Sequence, residues 1–154
     1  MTTLSTLLAN IAAAIAADAT LETFCQTNFS KSISVYVHLD PKNPPSISKA
    51  PWVGLTVQSY ERPAEDKAAF MNFNLETAVY CEKSGEVTSG KITTLTGFST
   101  VEALSNLVFS IIETAVTLSV TQTTMDYLSE QETSIGIAEF PGWISARTWR
   151  IINL

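Results

Sequence analysis

Histidine is almost missing from this chain: His38 stands alone in 154 residues. A Ser-His-Asp or Cys-His arrangement would have to use it. It sits beside a proline-rich stretch with no nucleophile motif near it, so a surface or strand-edge histidine is expected. Cysteine is scarce as well. Cys25 and Cys81 lie in segments of different character and form no CxxC pair, which argues against a disulfide framework, points to a reducing compartment and leaves no zinc-ligand spacing. Basic residues number nine against fifteen acidic ones, for a formal charge of −6. A sequence-independent nucleic-acid binder needs clustered Lys and Arg to neutralise phosphates, so no specific nucleic-acid binding is expected. No apolar run approaches the ~20 residues of a membrane span. The apolar start MTTLSTLLANIAAAIAADAT also lacks the leading positive charge of a secretory signal, the first cation being Lys31. It is expected to be a mature helix, with no membrane among the partners.

What is present is the composition of a folded chain, 45% hydrophobic and 16% charged, long enough for a single domain over 1–154 with its own core. Leu4, Leu7, Leu8, Ile11 and Ile15 fall on one helical face, with alanines between them. Ile33, Val35 and Val37 alternate with Ser34, Tyr36 and His38 as a short strand does. Residues 39–51, LDPKNPPSISKAP, hold four prolines and predict a long exposed loop. Val53, Leu55 and Val57 alternate next. A longer alternation follows, with Met71, Phe73, Leu75, Val79 and Cys81 on one face and Asn72, Asn74, Glu76, Tyr80 and Glu82 on the other. That one-sided pattern predicts an antiparallel sheet with one face covered and one wet or held for a partner. Residues 83–98 read as a second loop. Ser99 and Glu102 have the spacing of a capping box, followed by a stripe of Leu104, Leu107, Val108, Ile111, Ile112 and Ala115, so a long helix to about residue 121 is expected. Strands over 124–133 and 143–153 complete the reading, with Trp149 and Ile151 competing against Ile144 and Ile152 for the inner face, a conflict that a bulge or a two-sided burial would resolve. The expected class is α+β: an antiparallel sheet of about four to five strands packed with two main helices, one N-terminal and one late and long.

Chemistry is thinly supplied. Gly85-Glu-Val-Thr-Ser-Gly90-Lys91 has P-loop spacing, but Ile92 stands where the magnesium-holding hydroxyl belongs, and no helix begins there to receive phosphate. A loop with a hairpin turn is the better reading. Glu61, Glu65 and Asp66, like Glu130 and Glu132, could in principle form a carboxylate pair, although exposed acidic turns are far commoner. Asn28-Phe29-Ser30 fits a glycosylation acceptor, which means little without a secretory signal. The chain is therefore expected not to be an enzyme, with no catalytic, metal or cofactor residues and no cofactor.

The residues that stand out belong to another class. The ending EFPGWISARTWRIINL concentrates Trp143, Arg147, Trp149 and Arg150, types enriched at protein interfaces. An apolar terminal stretch frays unless built into a sheet or an interface. These four, with Trp52, are the candidate subunit or partner contacts, ordinary core packing being the alternative for the tryptophans.

An amphipathic first helix, the proline-led APWVGLTV (50–57), the strand NLETAVYC (74–81), a late amphipathic helix and an E-x-P-x-W ending followed by an arginine-bearing strand (139–152) together resemble the tail-terminator or tail-completion proteins of long-tailed bacteriophages. The resemblance covers nearly the whole chain as an order of elements. It implies an α+β structural virion subunit that forms a ring with copies of itself, commonly a hexamer. Such a ring caps the tail tube, meets the head-completion or neck proteins, and lets DNA at most pass through its lumen. It also implies a location in the virion tail or neck after assembly in the host bacterial cytoplasm. The proline loop at 39–51 and the Gly/Ser loop at 83–98 would then be candidates for contacting neighbours. The alternatives are another phage structural component, such as a head–tail connector or baseplate protein, or a small ligand-binding α+β domain.

Overall fold

Leu7, Leu8, Ile11 and Ile15 recur at helical spacing and are all buried, so the N-terminal stripe packs as its periodicity requires. The helix that carries it, α1 (Leu4–Ala17), stops at Asp18. Asp18 leaves the helical backbone and its Oδ1 accepts the Leu21 N–H at 2.7 Å, a side-chain cap that starts a second helix, α2 (Ala19–Phe29), bent by 57° from the first. Ser30, in the left-handed region at φ 55°, ends it. No single helix among the described residues is long and apolar enough to cross a membrane. The computed structural model describes residues 4–40, 42–61, 72–119, 128–138 and 141–151.

After α2 come β1 (Ser34–Val37), a loop holding a short 3-10 turn at Ile47–Lys49, β2 (Trp52–Glu61), β3 (Asn72–Glu82), a hairpin of β4 (Glu86–Ser89) and β5 (Ile92–Leu95), then α3 (Thr96–Ser119), β6 (Leu128–Ile137) and β7 (Gly142–Ile151). Five strands form one sheet in the order β1-β2-β3-β7-β6. The fold is α+β, as the alternation of patterns implied. The sheet is mixed rather than antiparallel throughout, because β1 runs parallel to β2 while the other three pairings are antiparallel. The loop over 38–51 carries the chain back to the starting end of β1 before β2 begins, and that return is what makes a parallel pair available.

α3 lies over β3, β7 and β6, with α1 beside it and over β1. Between helices and sheet sits the main core, in which Leu55, Leu75, Val79, Leu104, Val108 and Ile112 are fully buried. The buried stripe of α3 runs through Val101, Leu104, Ser105, Val108, Phe109, Ile112, Ala115 and Val116. Leu107 and Ile111, expected within the stripe, flank it half-buried. The capping box does not form. α3 begins at Thr96, whose N–H and Oγ1 both donate to the Gly85 carbonyl at 2.8 and 2.9 Å. Ser99 Oγ donates to the Thr96 carbonyl at 3.1 Å instead of accepting an N–H. The hairpin base therefore fixes the helix start three residues earlier than the local motif suggested. Of the residues expected to form a loop over 83–98, Glu86–Leu95 make that hairpin and 96–98 open α3; the hairpin turns at Gly90, whose φ of +61° suits a residue without Cβ.

Candidate functional site

Strand β7 alternates cleanly. Trp143, Ser145, Arg147 and Trp149 lie in register with Cys81, Val79, Thr77 and Leu75 of β3, on the helix side. Ile144, Ala146 and Thr148 pair with Tyr80, Ala78 and Glu76 on the opposite side. No bulge is needed in β7: the pairing shift lies in β6, between Glu130 and Glu132. The competition for the inner face is settled in favour of the tryptophans, because α3 offers them a cover of large apolar side chains.

Each tryptophan named as an interface candidate is buried inside the subunit. Trp149 is 1% exposed and meets the Phe109 ring edge-on at 6.1 Å. Trp143, 4% exposed, donates Nε1–H to the Lys83 carbonyl at 3.1 Å, and its indole lies against Gly97 so closely that any Cβ there would collide with it. It thereby ties the last strand to the first turn of α3. Trp52 is 4% exposed on the opposite face, stacked on Tyr80 at 5.3 Å and 14°, with Tyr36 edge-on at 6.4 Å. Within the subunit these are core positions, the packing named above as the alternative for the tryptophans. Arg147 is half-buried, its guanidinium 4.0 Å from the Phe109 ring centroid and 5.1 Å from that of Trp149, within the range of cation–π attraction. Arg150 stands opposite Asn74 and Ser129 in the strand register, and its side chain lies outside the described residues. The structure thus brings Arg147 and Trp149 into contact in the main core, which also holds Trp143, and sets Trp52 in a second cluster on the opposite face.

The face expected to be wet is partly closed by the chain's own proline loop. Leu39 lies directly on Gly54, where a Cβ would collide with it, and the Leu39 carbonyl accepts the Thr56 hydroxyl at 2.9 Å. Ala50, Trp52 and Tyr80 form a second apolar cluster there, joined by Tyr36, Leu39, Ala78 and Ile144. Tyr36 and Tyr80, which organise these contacts, were not singled out from sequence. The available signal was aromatic residues at the supposedly polar positions of strands.

Residues weighed for chemistry are dispersed. His38 is exposed at the end of β1 with φ 59°, its backbone N–H donating to the Leu55 carbonyl at 2.8 Å. The P-loop-like stretch is β4 and its turn, whose backbone pairs with β5, so its amides are not gathered into an anion cradle. Cys25 and Cys81 are free thiols, both fully buried. Burial pushes the Cys25 thiol up to about 11, with a further rise from Glu22, and Cys81 up to about 12, with a further rise from Cys25. Glu65 and Asp66 lie outside the described residues, as do the side chains of Glu61, Glu130 and Glu132. Among the described residues no three His, Cys, Asp or Glu side chains gather as metal ligands do. A groove of about 640 Å³ runs between α2 and α3, lined by Thr20, Thr23, Phe24, Thr27, Asn28 and Leu107 among others. It gathers no charged side chain.

Among the described residues, three α-helices on one face of a mixed five-stranded sheet and a loop on the other define the class of fold. No protein-family model matches the sequence, and no curated protein matches it. By fold the chain is similar to one in the virion of a native gene transfer agent particle, with a TM-score of 0.52 over 96% of this chain and 93% of that one, at 16% identity.

Proposed function

We propose that this chain is a structural subunit of a phage-type virion, and within that class a tail-terminator or tail-completion protein. It is a non-enzymatic protein that rings the end of the tail tube and joins it to the neck. The observation that carries the reading is the fold shared along nearly the full length of both chains with a component of a gene transfer agent virion. The order of sequence elements, resembling tail terminators, gives the finer role. Two sheet edges, unpaired among the described residues, are candidates for the different patches that a head-to-tail ring needs. An acidic chain at −6 suits a passage that DNA must cross without adhering, since like charge disfavours retention of phosphate.

The test is direct. Gold-labelled antibody against the protein should decorate purified particles at the head-proximal end of the tail, and the purified protein should bind one end of isolated tail tubes as a ring visible in negative stain. Labelling confined to the capsid, or to the distal end of the tail, would overturn the tail-terminator role while leaving a virion subunit.

A further inference from the structure

The hairpin of β4 and β5 is a two-stranded ribbon that pairs with no third strand among the described residues. A ribbon of that kind is marginal in water without a cover. Val87 and Ile92, 60% and 71% exposed, hold its apolar face. The register Val87↔Thr94 and Ser89↔Ile92 makes them diagonal neighbours, about 7–8 Å apart. Lys91 stands at the turn and Glu86 at the base, on the other face from Val87. From base to turn the ribbon measures about 13 Å at 3.3 Å per residue. The groove between α2 and α3 has matching properties. Its volume of about 640 Å³, with Phe24 and Leu107 in its lining, falls within the ~300–1,000 Å³ of pockets that enclose largely apolar ligands. It follows α2 from Ala19 to Asn28, about 14 Å at 1.5 Å per residue, and the hairpin of the same copy does not line it. The groove is also polarised. Beyond Ala19 a hollow of about 290 Å³ is lined by Asp18, Ile111 and Thr114 among others, and Glu113 stands exposed beside it, with no Lys or Arg in residues 4–30 or 96–119. At the other end Lys83 Nζ donates to the Asn28 carbonyl at 3.2 Å and offsets Glu102 on the first turns of α3. Glu22 is engaged by Gln26 and Ser32.

We propose that, in the ring assigned above, the β4–β5 hairpin of one copy lies in the α2–α3 groove of the next, with Val87 and Ile92 against Phe24 and Leu107 and with Lys91 toward Asp18. The occupant is a second copy of this chain because the ribbon's apolar face, its length and the order of its charges all match a groove that the same chain provides. With Lys91 at the Asp18 end, the cation of the turn meets the end where carboxylates stand alone, and Glu86 falls toward Lys83. The reversed orientation would set Lys91 beside Lys83, and like charges brought together at an interface suppress that arrangement. Hairpin and groove are different patches, so the contact is head-to-tail, the kind that closes into rings.

The inference rests on the ring reading, and the experiment separates the two. Solution mass is measured by light scattering over a concentration series for the wild type, Ile92→Asp, Thr23→Lys and Lys91→Glu, with circular dichroism melts as the check on folding. All three positions are exposed, so each variant should keep the wild-type melt. Ile92→Asp and Thr23→Lys should dissociate at protein concentrations at least about tenfold higher than the wild type does. Lys91→Glu should weaken assembly by a factor that shrinks as salt is raised, since the charges it touches are exposed. Ile92→Asp keeps its groove and Thr23→Lys keeps its hairpin, so the two mixed have one intact contact between them. The mixture should form dimers and stop there, at a concentration where each alone is monomeric. No misfolded variant would give that result. A wild type that oligomerises, with Ile92→Asp and Thr23→Lys of unchanged mass, with no dimers on mixing, or with Lys91→Glu like the wild type at every salt concentration, overturns the hairpin docking and leaves the ring standing. A wild type that is monomeric at every concentration overturns the ring and the docking with it.

Discussion

On the helix side of the sheet Trp149 is enclosed by Phe109 and Arg147, whereas on the opposite side Trp52 is enclosed by Tyr80, Tyr36 and the loop that carries Leu39 and Ala50. Exposure is nearly equal, 1% against 4%, so area alone does not distinguish them. What differs is the cover. A helix such as α3 keeps its shape through its own hydrogen bonds, and its stripe must be buried for the subunit to fold. A loop held by Leu39 on Gly54, by the Leu39 N–H on the Leu55 carbonyl, by the Thr56 hydroxyl on the Leu39 carbonyl and by Lys31 on the Ser48 carbonyl has no such repeating ladder and can settle onto a smaller residue. Burial under a regular element and burial under a loop are thus equal in area but unequal in how far the surroundings yield.

The strongest test of that difference is to delete each indole. Trp149→Ala should cost about 3–5 kcal/mol, the range for large aromatics in a core that cannot collapse. Trp52→Ala should fall at or below about 3 kcal/mol, because the cost shrinks where a site can close over the gap. Urea melts of both variants measure this, and equal losses would mean that the proline loop is as rigid as the helix. Next in size is a contrast within α3. Leu104, fully buried, should lose about 2–5 kcal/mol on truncation to Ala. Leu107, half-buried beside α2, should lose about 1 kcal/mol. A larger loss at Leu107 would rotate the core-facing stripe back to where periodicity first put it.

Those two faces were not equally legible in the sequence. Leu7, Leu8, Ile11 and Ile15 repeat at helical spacing without interruption, and the pattern alone placed α1. In α3 apolar residues occupy more than one face, so the expected stripe took in Leu107 and Ile111, whereas the buried one runs through Val101, Phe109 and Val116. Only packing against β3 and β7 decides. The direction of β1 is not written in four alternating residues, since parallel and antiparallel strands alternate alike. Ser99 and Glu102 made a sound local cap, but the Gly85 carbonyl, eleven residues before Thr96 in sequence, took the helix start. At the candidate site the residues stand out in the sequence by type, and their placement was not readable. Trp52 next to Val53, and Tyr80 next to Val79, are bulky side chains on both faces of neighbouring strands. That is the mark of two-sided burial, whether by a partner or by the chain's own loop.

The inner face also holds the two thiols, and they sharpen the comparison through pH. A thiol whose folded value is raised stays protonated in the native state while the unfolded chain ionises. Its contribution is therefore fully present below the ordinary value of 9.0 and is lost as pH rises from there to about 12 for Cys81. Stability should fall through that window by up to about 1.4 kcal/mol per pH unit on account of Cys81. Cys81→Ala should flatten the slope while shifting stability by a constant amount below pH 9. Denaturant midpoints across the alkaline range decide it, and parallel curves for wild type and variant would show that the thiol is not shielded by the helices.

The smallest expected effect concerns a charge placed among the inner-face aromatics. Arg147 shares the row of Trp143, Ser145 and Trp149, with its guanidinium over Phe109 of α3 at 4.0 Å. A flat cation on an aromatic face gains electrostatically from the ring and also covers apolar surface with its stem. Arg147→Met keeps much of the apolar bulk and removes the charge, so it isolates the first of these effects. The expected loss is about 0.5–2 kcal/mol, the range for such pairs between exposed and desolvated sites. It should shrink when Phe109 is already Leu, since the ring that attracts the charge is then gone. A double-mutant cycle in urea reads the coupling directly. If the coupling is zero, Arg147 is held by other groups, and its place beside Trp149 follows from strand alternation rather than attraction. If Arg147→Met leaves the subunit folded but prevents its assembly, the side chain acts across a subunit boundary, and the inner face is not closed by the chain's own helices alone.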